Sequence, residues 1–162
     1  MDISIAEAKL ELALLNANST KMDRIDMLAE LTNMGLPAEL VFRLEELWES
    51  TKVIGEKVIH IGRIILAEII RFIKNNPKLS AGVALGAAVG SLVSVVPLIG
   101  PLLAPLSIVT GATLGGLAGM KIDRDGLVED GLLGVAQEYI MLADKFFELL
   151  SAIFNALTTE FK

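Results

Sequence analysis

One stretch of this sequence, residues 79–120, contains forty-two consecutive residues without an ionisable side chain. Basic residues border the stretch on both sides, at Lys78 and Lys121. In water such a segment would expose a large apolar surface, which folded chains avoid unless the surface serves binding. The segment therefore needs either lipid or a covering of other helices, and the rest of the chain must be compatible with one of these two environments.

The uncharged stretch divides into two apolar arms, residues 79–96 and 106–120, separated by a segment rich in turn-forming residues. Proline and glycine interrupt helices and mark turns, so the sequence predicts a helical hairpin. The predicted turn residues are Pro97, Gly100, Pro101 and Pro105. Arms of 18 and 15 residues reach roughly 27 and 22 Å as helices, against about 30 Å of hydrocarbon in a bilayer. Each arm is short for a spanning helix, so a re-entrant hairpin is an alternative.

Glycine recurs every four residues in both arms. This spacing places the glycines on one helix face and allows two backbones to approach closely. In water each glycine costs about 1 kcal/mol of helix stability relative to alanine, whereas in lipid the helix must satisfy its backbone internally in any case. We therefore predict six helix-packing positions in a homo-oligomer: Gly82, Gly86, Gly90, Gly111, Gly115 and Gly119.

The two glycine runs resemble those of the glycine-zipper membrane proteins of bacteria, in which a GxxxGxxxG helix drives packing or oligomerisation. The resemblance is confined to residues 82–90 and 111–119, about a tenth of the chain. It implies tight helix packing in lipid, with no reaction and no cofactor attached.

Charge is distributed unevenly around the hairpin. The net charge of −6 arises from acidic residues in 1–50 and 121–162, whereas residues 51–78 carry a net charge of +4. Overall negative charge argues against nucleic-acid binding. Six basic residues near the apolar arms are predicted to contact a membrane surface: Arg63, Arg71, Lys74, Lys78, Lys121 and Arg124. By the positive-inside rule, these residues place both termini in the cytoplasm.

The flanking regions read as amphipathic helices, so the predicted fold class is all-α with a central glycine-rich hydrophobic hairpin. Residues 1–50 form an acidic N-terminal region in which Ile5, Ala8, Leu12 and Leu15 share one helix face. A break at residues 16–19 is expected, with Ser19 or Thr20 capping the next helix, which carries Met22, Ile25, Leu28 and Leu31 on one face. After Gly35 and Pro37 a further helix begins.

A long helix is predicted from about Pro37 to Asn75, with a break possible near Gly55. Its second part, residues 51–78, combines a wide apolar face with a basic edge. Such a helix suits an anionic membrane surface, and equally a protein core with one solvated edge. The C-terminal region, 121–162, contains a last amphipathic helix from about Leu127 to Phe161. One face of that helix carries Ala136, Ile140, Ala143, Phe147, Leu150, Phe154 and Leu157.

Residues that carry chemistry are scarce. The chain has no cysteine and a single histidine, His60, which excludes thiolate sites and sites built on several histidines. Carboxylate pairs such as Glu45 and Glu49 have the character of a solvated edge. No nucleophile elbow, phosphate loop or dinucleotide motif is present. We therefore predict neither enzymatic activity nor a cofactor.

These patterns favour a small self-associating membrane protein that forms a pore, a channel or a membrane-perturbing assembly. The hairpin can reside constitutively in lipid, insert from a helix-sheathed soluble form, or remain a soluble core. Its few polar side chains either line a path or bond helix carbonyls one turn back: Ser80, Ser91, Ser94, Ser107, Thr110 and Thr113.

Two alternatives concern the flanks and the delivery of the chain. In the first, the hairpin serves only as a tether while residues 1–50 bind a protein partner. In the second, the chain is a secreted effector that inserts its hairpin into a target membrane. The residues after Met1 lack the basic region and apolar run of a secretory signal peptide, so none is expected.

Overall fold

The computed structural model describes residues 2–95, residue 103 and residues 138–160. The described residues are mostly helical, which confirms the predicted all-α class, and their only sheet is a two-stranded hairpin. Of the predicted hairpin, the first arm is described as a helix up to residue 95. The predicted turn residues and the whole second arm lie outside the described residues: Pro97, Gly100, Pro101, Pro105 and 106–120.

Helix α1 spans Ile5–Thr20 and begins at Ser4, whose hydroxyl accepts a hydrogen bond from the backbone N–H of Glu7. The break predicted at residues 16–19 is wrong, because α1 continues through them. Ser19 and Thr20 do not cap the next helix; their hydroxyls donate instead to carbonyls of the preceding turn. Asn16 is used at long range, since its amide bonds the backbone of residues 58 and 60.

Helix α2 spans Arg24–Asn33 and is capped by Asp23, whose carboxylate accepts from the N–H groups of Ile25 and Asp26. Its predicted apolar face is partly wrong, because Ile25 is 75% exposed. The buried residues of α2 are Met27 and Leu31, and Leu28 is half-buried.

The predicted stop between α2 and the next helix is confirmed. Gly35 has a φ of 85°, a value that glycine adopts without strain, and helix α3 spans Ala38–Glu46 directly after Pro37. A 3₁₀ turn, Leu47–Glu49, follows and buries Leu47 and Trp48. The backbone then leaves the helical conformation, so the prediction of one long helix to Asn75 is wrong.

The break consists of a β-hairpin, with β1 at Lys52–Ile54 paired antiparallel to β2 at Lys57–Ile59. Gly55 opens its two-residue turn with a φ of 60°, as tight hairpin turns require. Valine and isoleucine occupy both strands, and these β-branched residues favour extended backbone. The basic-edged helix therefore begins at residue 61 rather than at residue 51.

Helix α4 spans Ile61–Asn75, and helix α5 spans Ala81–Val95. After the undescribed residues, 138–146 are helical and helix α6 spans Glu148–Ala156. Phe147 separates these two helical segments with φ −91° and ψ 12°, yet backbone hydrogen bonds continue through it from Phe147 to Ala143 and from Ser151 to Phe147. The predicted last helix thus has a local irregularity and ends at Ala156 rather than at Phe161.

Helix α4 lies at the centre of the described core and contacts α1, the 3₁₀ turn and α5, while α1 also contacts α6. The predicted apolar face of the last helix is confirmed at five of its six described residues, because these are buried: Ala143, Phe147, Leu150, Phe154 and Leu157. The sixth, Ile140, is half-buried. One close backbone approach fixes the start of α4. The N–H of Gly62 donates to the carbonyl of Ser50, and a Cβ on Gly62 would overlap the carbonyl oxygen of Leu47.

Candidate functional site

The candidate site is helix α5, the described part of the uncharged stretch, together with the helices that cover it. Alanine is the most frequent residue on its buried side. Its fully or almost fully buried apolar residues are Ala84, Leu85, Ala87, Ala88, Val89 and Leu92. Burying apolar area contributes about 25 cal/mol per Å² removed from water, so this packing is the main stabilisation of α5. The described arm is therefore covered by helices of its own chain.

Helix α4 provides one side of this cover because it is apolar around most of its circumference. Its buried residues are Ile61, Ile64, Ile65, Leu66, Ile69, Ile70, Phe72 and Ile73. Three phenylalanines join α4 to the C-terminal helical segments. The ring centroid of Phe72 lies 5.3 Å from that of Phe146 and 5.6 Å from that of Phe147. These spacings are typical of favourable aromatic pairs.

A side-chain hydrogen bond links α5 to the C-terminal cover. The hydroxyl of Ser91, which is fully buried, donates to a carboxylate oxygen of Asp144 at 2.5 Å. Hydrogen bonds to charged groups are among the stronger ones in proteins, and losing one partner would leave the other unsatisfied. An acidic side chain of the C-terminal segment thus bonds the uncharged helix α5 across fifty-three residues of sequence.

The other two described serines of the stretch act locally. Ser94 donates to the carbonyl of Gly90 at 2.9 Å, one turn back, as the local-bonding alternative predicts. Ser80 caps α5 by accepting from the N–H of Val83 at 3.3 Å. Among the described hydroxyls of the stretch, Ser91 alone reaches another helix.

Two of the three glycines in the first run, Gly82 and Gly90, leave room for a Cβ in the described fold. A Cβ on Gly82 would meet no atom within 4 Å, so that position is open. A Cβ on Gly90 would lie 3.7 Å from Ile140, an ordinary van der Waals contact. Gly86 is buried. By contrast Gly62, which is outside the predicted zipper, is a glycine that the fold requires. The second run lies outside the described residues.

The predicted basic edge is largely engaged within the chain. The guanidinium of Arg63 stacks 4.5 Å from the ring centroid of Trp48, and its buried Nε has no hydrogen-bond partner. Lys74 pairs with Glu30 of α2. Lys78 has no ion pair within the part of the chain that the structure describes. The remaining two predicted positions, Lys121 and Arg124, lie outside that part.

Arg71 and Glu68 form an ion pair that sequence reasoning missed. A guanidinium nitrogen of Arg71 lies 3.4 Å from a carboxylate oxygen of Glu68, whose side chain is only 12% exposed. Burial raises the pKa of Glu68 above its ordinary value of 4.5, and the charge of Arg71 opposes this rise in pKa without cancelling it. The signal in the sequence is an acid among the isoleucines of α4, where a charge is expensive to bury.

Among the described helices, none is both long enough and apolar enough to cross a membrane. Comparison with protein-family models finds no match, and comparisons with curated proteins and with solved structures likewise find no match.

Proposed function

We propose that this chain is a small self-associating protein that inserts its uncharged stretch, residues 79–120, into a lipid bilayer. There the glycine faces pack one copy against another and produce a pore, a channel or a membrane-perturbing assembly. Gly82 and Gly90 of α5 carry this proposal, because a Cβ at either position would meet no close neighbour in the described fold. Alanine would fit at Gly82 and Gly90, yet glycine costs about 1 kcal/mol of helix stability at an interior helix position.

The cover of α5 supports insertion from a sheathed form over constitutive residence in lipid. The described arm is buried against α4 and helical residues 138–146, and the Ser91–Asp144 hydrogen bond links it to the latter. Apolar contacts with a protein and with lipid tails are comparable in free energy, so exchanging one for the other costs little. Insertion would break the Ser91–Asp144 hydrogen bond and the Ser80 cap of α5.

A paired substitution at Gly82 tests the proposal, because this position is open in the described fold. Gly82→Leu should block close approach between backbones in lipid, whereas Gly82→Ala retains a small residue and serves as the matched control. Both variants should retain the circular-dichroism spectrum and the melting behaviour of a folded chain in buffer.

The readout is release of dye entrapped in liposomes, combined with oligomer mass in detergent. The unsubstituted chain and Gly82→Ala should release dye and form oligomers, and Gly82→Leu should release dye at least about tenfold more slowly, the equivalent of 1.4 kcal/mol. No release by the unsubstituted chain at any protein-to-lipid ratio would overturn the pore. An unchanged oligomer mass in Gly82→Leu would show that the glycines are not the contact surface.

A membrane-tethered interaction module is the second candidate, and exposed apolar side chains in the N-terminal region favour it. Leu10 and Leu14 lie one turn apart on α1 and are 62% and 53% exposed, and Phe42 of α3 is 59% exposed. Deleting residues 79–120 discriminates the two candidates. A module should still bind its partner after the deletion, whereas a pore should lose all activity. A secreted effector would behave as the pore does and differ only in its delivery.

A further inference from the structure

A shallow cleft lies between the last turn of α4 and helical residues 138–146, at the point where the chain leaves α4 for the uncharged stretch. Its volume is about 270 Å³, and it is lined by Phe72, Asn75, Asn76, Leu142, Lys145 and Phe146. No local sequence pattern marks these lining residues, because the two elements that form the cleft are more than sixty residues apart in the chain.

The floor of the cleft is apolar. Phe72 and Phe146 meet edge to face with ring centroids 5.3 Å apart, and Leu142 is 43% exposed beside them. Further exposed apolar side chains are found on helical residues 138–146 and on α6, where Met141 and Leu149 are 69% and 41% exposed. A ligand for this surface must therefore contain an apolar part, which excludes a free inorganic anion as the best fit.

The rim of the cleft is cationic. Lys145 is exposed and has no ion pair within the described residues. The guanidinium of Arg71 lies 5.3 Å from the ring centroid of Phe146, although Glu68 partly neutralises it. The side-chain N–H of Asn76 donates to the carbonyl of Phe72 at the end of α4. The side-chain oxygen of Asn76 takes no part in that hydrogen bond. The free charge at the rim is therefore that of Lys145.

We propose that this cleft binds an anionic phospholipid, with the phosphate of its headgroup at Lys145 and its acyl chain against Phe72, Phe146 and Leu142. This inference rests on the proposed function and adds a lipid preference to it. A lipid bound here lies at the base of the uncharged stretch, because Asn76 is followed by Pro77, Lys78 and Leu79. Anionic lipid would thus orient the covered chain on the membrane before α5 leaves its cover.

Vesicle binding by charge-reversal variants tests the site. Lys145→Glu removes the cation of the cleft, and Lys57→Glu makes the same charge change at an exposed position of β2, away from the cleft. Because one basic side chain near an anionic membrane contributes about 1 kcal/mol, reversal at Lys145 should weaken binding to phosphatidylglycerol vesicles about tenfold or more. Lys57→Glu should weaken it less than about twofold. Equal losses in the two variants would overturn the site.

Binding of a short-chain phosphatidylglycerol, measured below its critical micelle concentration, distinguishes recognition of the whole lipid from recognition of phosphate alone. This lipid should shift the NMR signals of the Phe72 and Phe146 rings in the unsubstituted chain and not in Lys145→Glu. Equal shifts with inorganic phosphate, or with phosphatidylcholine of the same chain length, would overturn the proposal. Lys145→Gln provides a milder variant if charge reversal affects folding.

The outcomes for the site and for the proposed function are distinguishable. Vesicle binding that depends on Lys145 without any dye release would support the lipid site and contradict the pore. Dye release that is equally fast from phosphatidylcholine and phosphatidylglycerol vesicles, and unchanged in Lys145→Glu, would leave the pore standing and remove the lipid site.

Discussion

The N-terminal helices and α5 both bury apolar residues in the core around α4, but the N-terminal helices add more side-chain bonds to other elements than α5 does. The side chain of Asn16 in α1 bonds the backbone of the β-hairpin, and Lys74 of α4 pairs with Glu30 of α2. Arg24 of α2 bonds the carboxylates of Glu45 and Glu49. Helix α5 is held mainly by apolar packing, and Ser91–Asp144 is its side-chain hydrogen bond to another helix. Polar bonds depend on geometry and partner, whereas apolar packing depends mainly on excluding water.

This difference indicates which region can separate from the rest at low cost. Moving α5 into lipid exchanges one apolar environment for another and breaks few directional bonds among those described. Moving α1 or α2 would leave charged and amide groups without their partners. Substitutions in the two regions test this contrast, and they are taken in order of decreasing effect.

Gly62→Ala should destabilise the fold most, by about 3 kcal/mol, because its methyl group would overlap the backbone carbonyl of Leu47. Gly82→Ala is the control in α5, where the added methyl group meets open space. It should be neutral or raise the free energy of unfolding by up to about 1 kcal/mol. Urea unfolding measures both, and equal effects would show that α5 is packed as tightly as the start of α4.

Removing the tie between α5 and its cover should have the next largest effect. Ser91→Ala and Asp144→Ala should each lower the free energy of unfolding by about 2 kcal/mol, because each leaves one buried or half-buried partner unsatisfied. The double variant should lose less than the sum of the two single losses. Additive losses in this double-mutant cycle would mean that the two groups are not coupled. Both single variants should also speed dye release.

Asp23→Ala removes the cap of α2 and should cost about 1 kcal/mol. Because α2 is outside the covered helix, dye release from liposomes should not change. This variant therefore controls for general destabilisation in the Ser91 and Asp144 experiments. Faster release from Asp23→Ala would attribute insertion to global unfolding rather than to loss of the tie on α5.

The smallest effect is expected from pH at Glu68. Because burial raises the pKa of Glu68, the folded state binds its proton more tightly than the unfolded chain does. Its charged form therefore disfavours the folded state at neutral pH, and this penalty disappears as pH falls from the raised pKa towards the ordinary value of 4.5.

Glu68→Gln should accordingly be slightly more stable than the unsubstituted chain at pH 7, and the difference should shrink towards pH 4.5. Both chains contain all the other carboxylates, so the comparison isolates Glu68. Urea unfolding at several pH values measures the difference. A difference that is constant with pH would show that Glu68 has the same pKa in the folded and unfolded chain.

Sequence periodicity located the helices well where apolar residues recur at helical spacing and a strong stop is present. Gly35 and Pro37 ended α2 and began α3 as predicted, and the buried face of the last helix followed from its spacing. The β-hairpin was missed because two three-residue strands of valine and isoleucine also satisfy a helical pattern over so short a length. Gly55 was recognised as a weak point, but its positive φ belongs to a turn rather than to a helix break.

The candidate site was only partly predictable for a similar reason. The glycines and the basic edge are visible along the chain, but their partners are not. That Arg71 pairs with a largely buried Glu68, or that Ser91 meets Asp144 fifty-three residues away, depends on how helices are placed against each other. Helical spacing indicates which face is buried and does not indicate which helix buries it.

By itself, the sequence determined that this chain is mainly helical and that residues 79–120 carry no charge, because helical period and ionisable groups are local properties. The placement of the helices determines that α5 is covered by α4 and helical residues 138–146, and that a Cβ on Gly82 would face open space. It also determines that Lys145, which has no ion pair among the described residues, lines an aromatic cleft. These features depend on contacts between residues distant in the chain, and such contacts arise from packing geometry that no local pattern encodes.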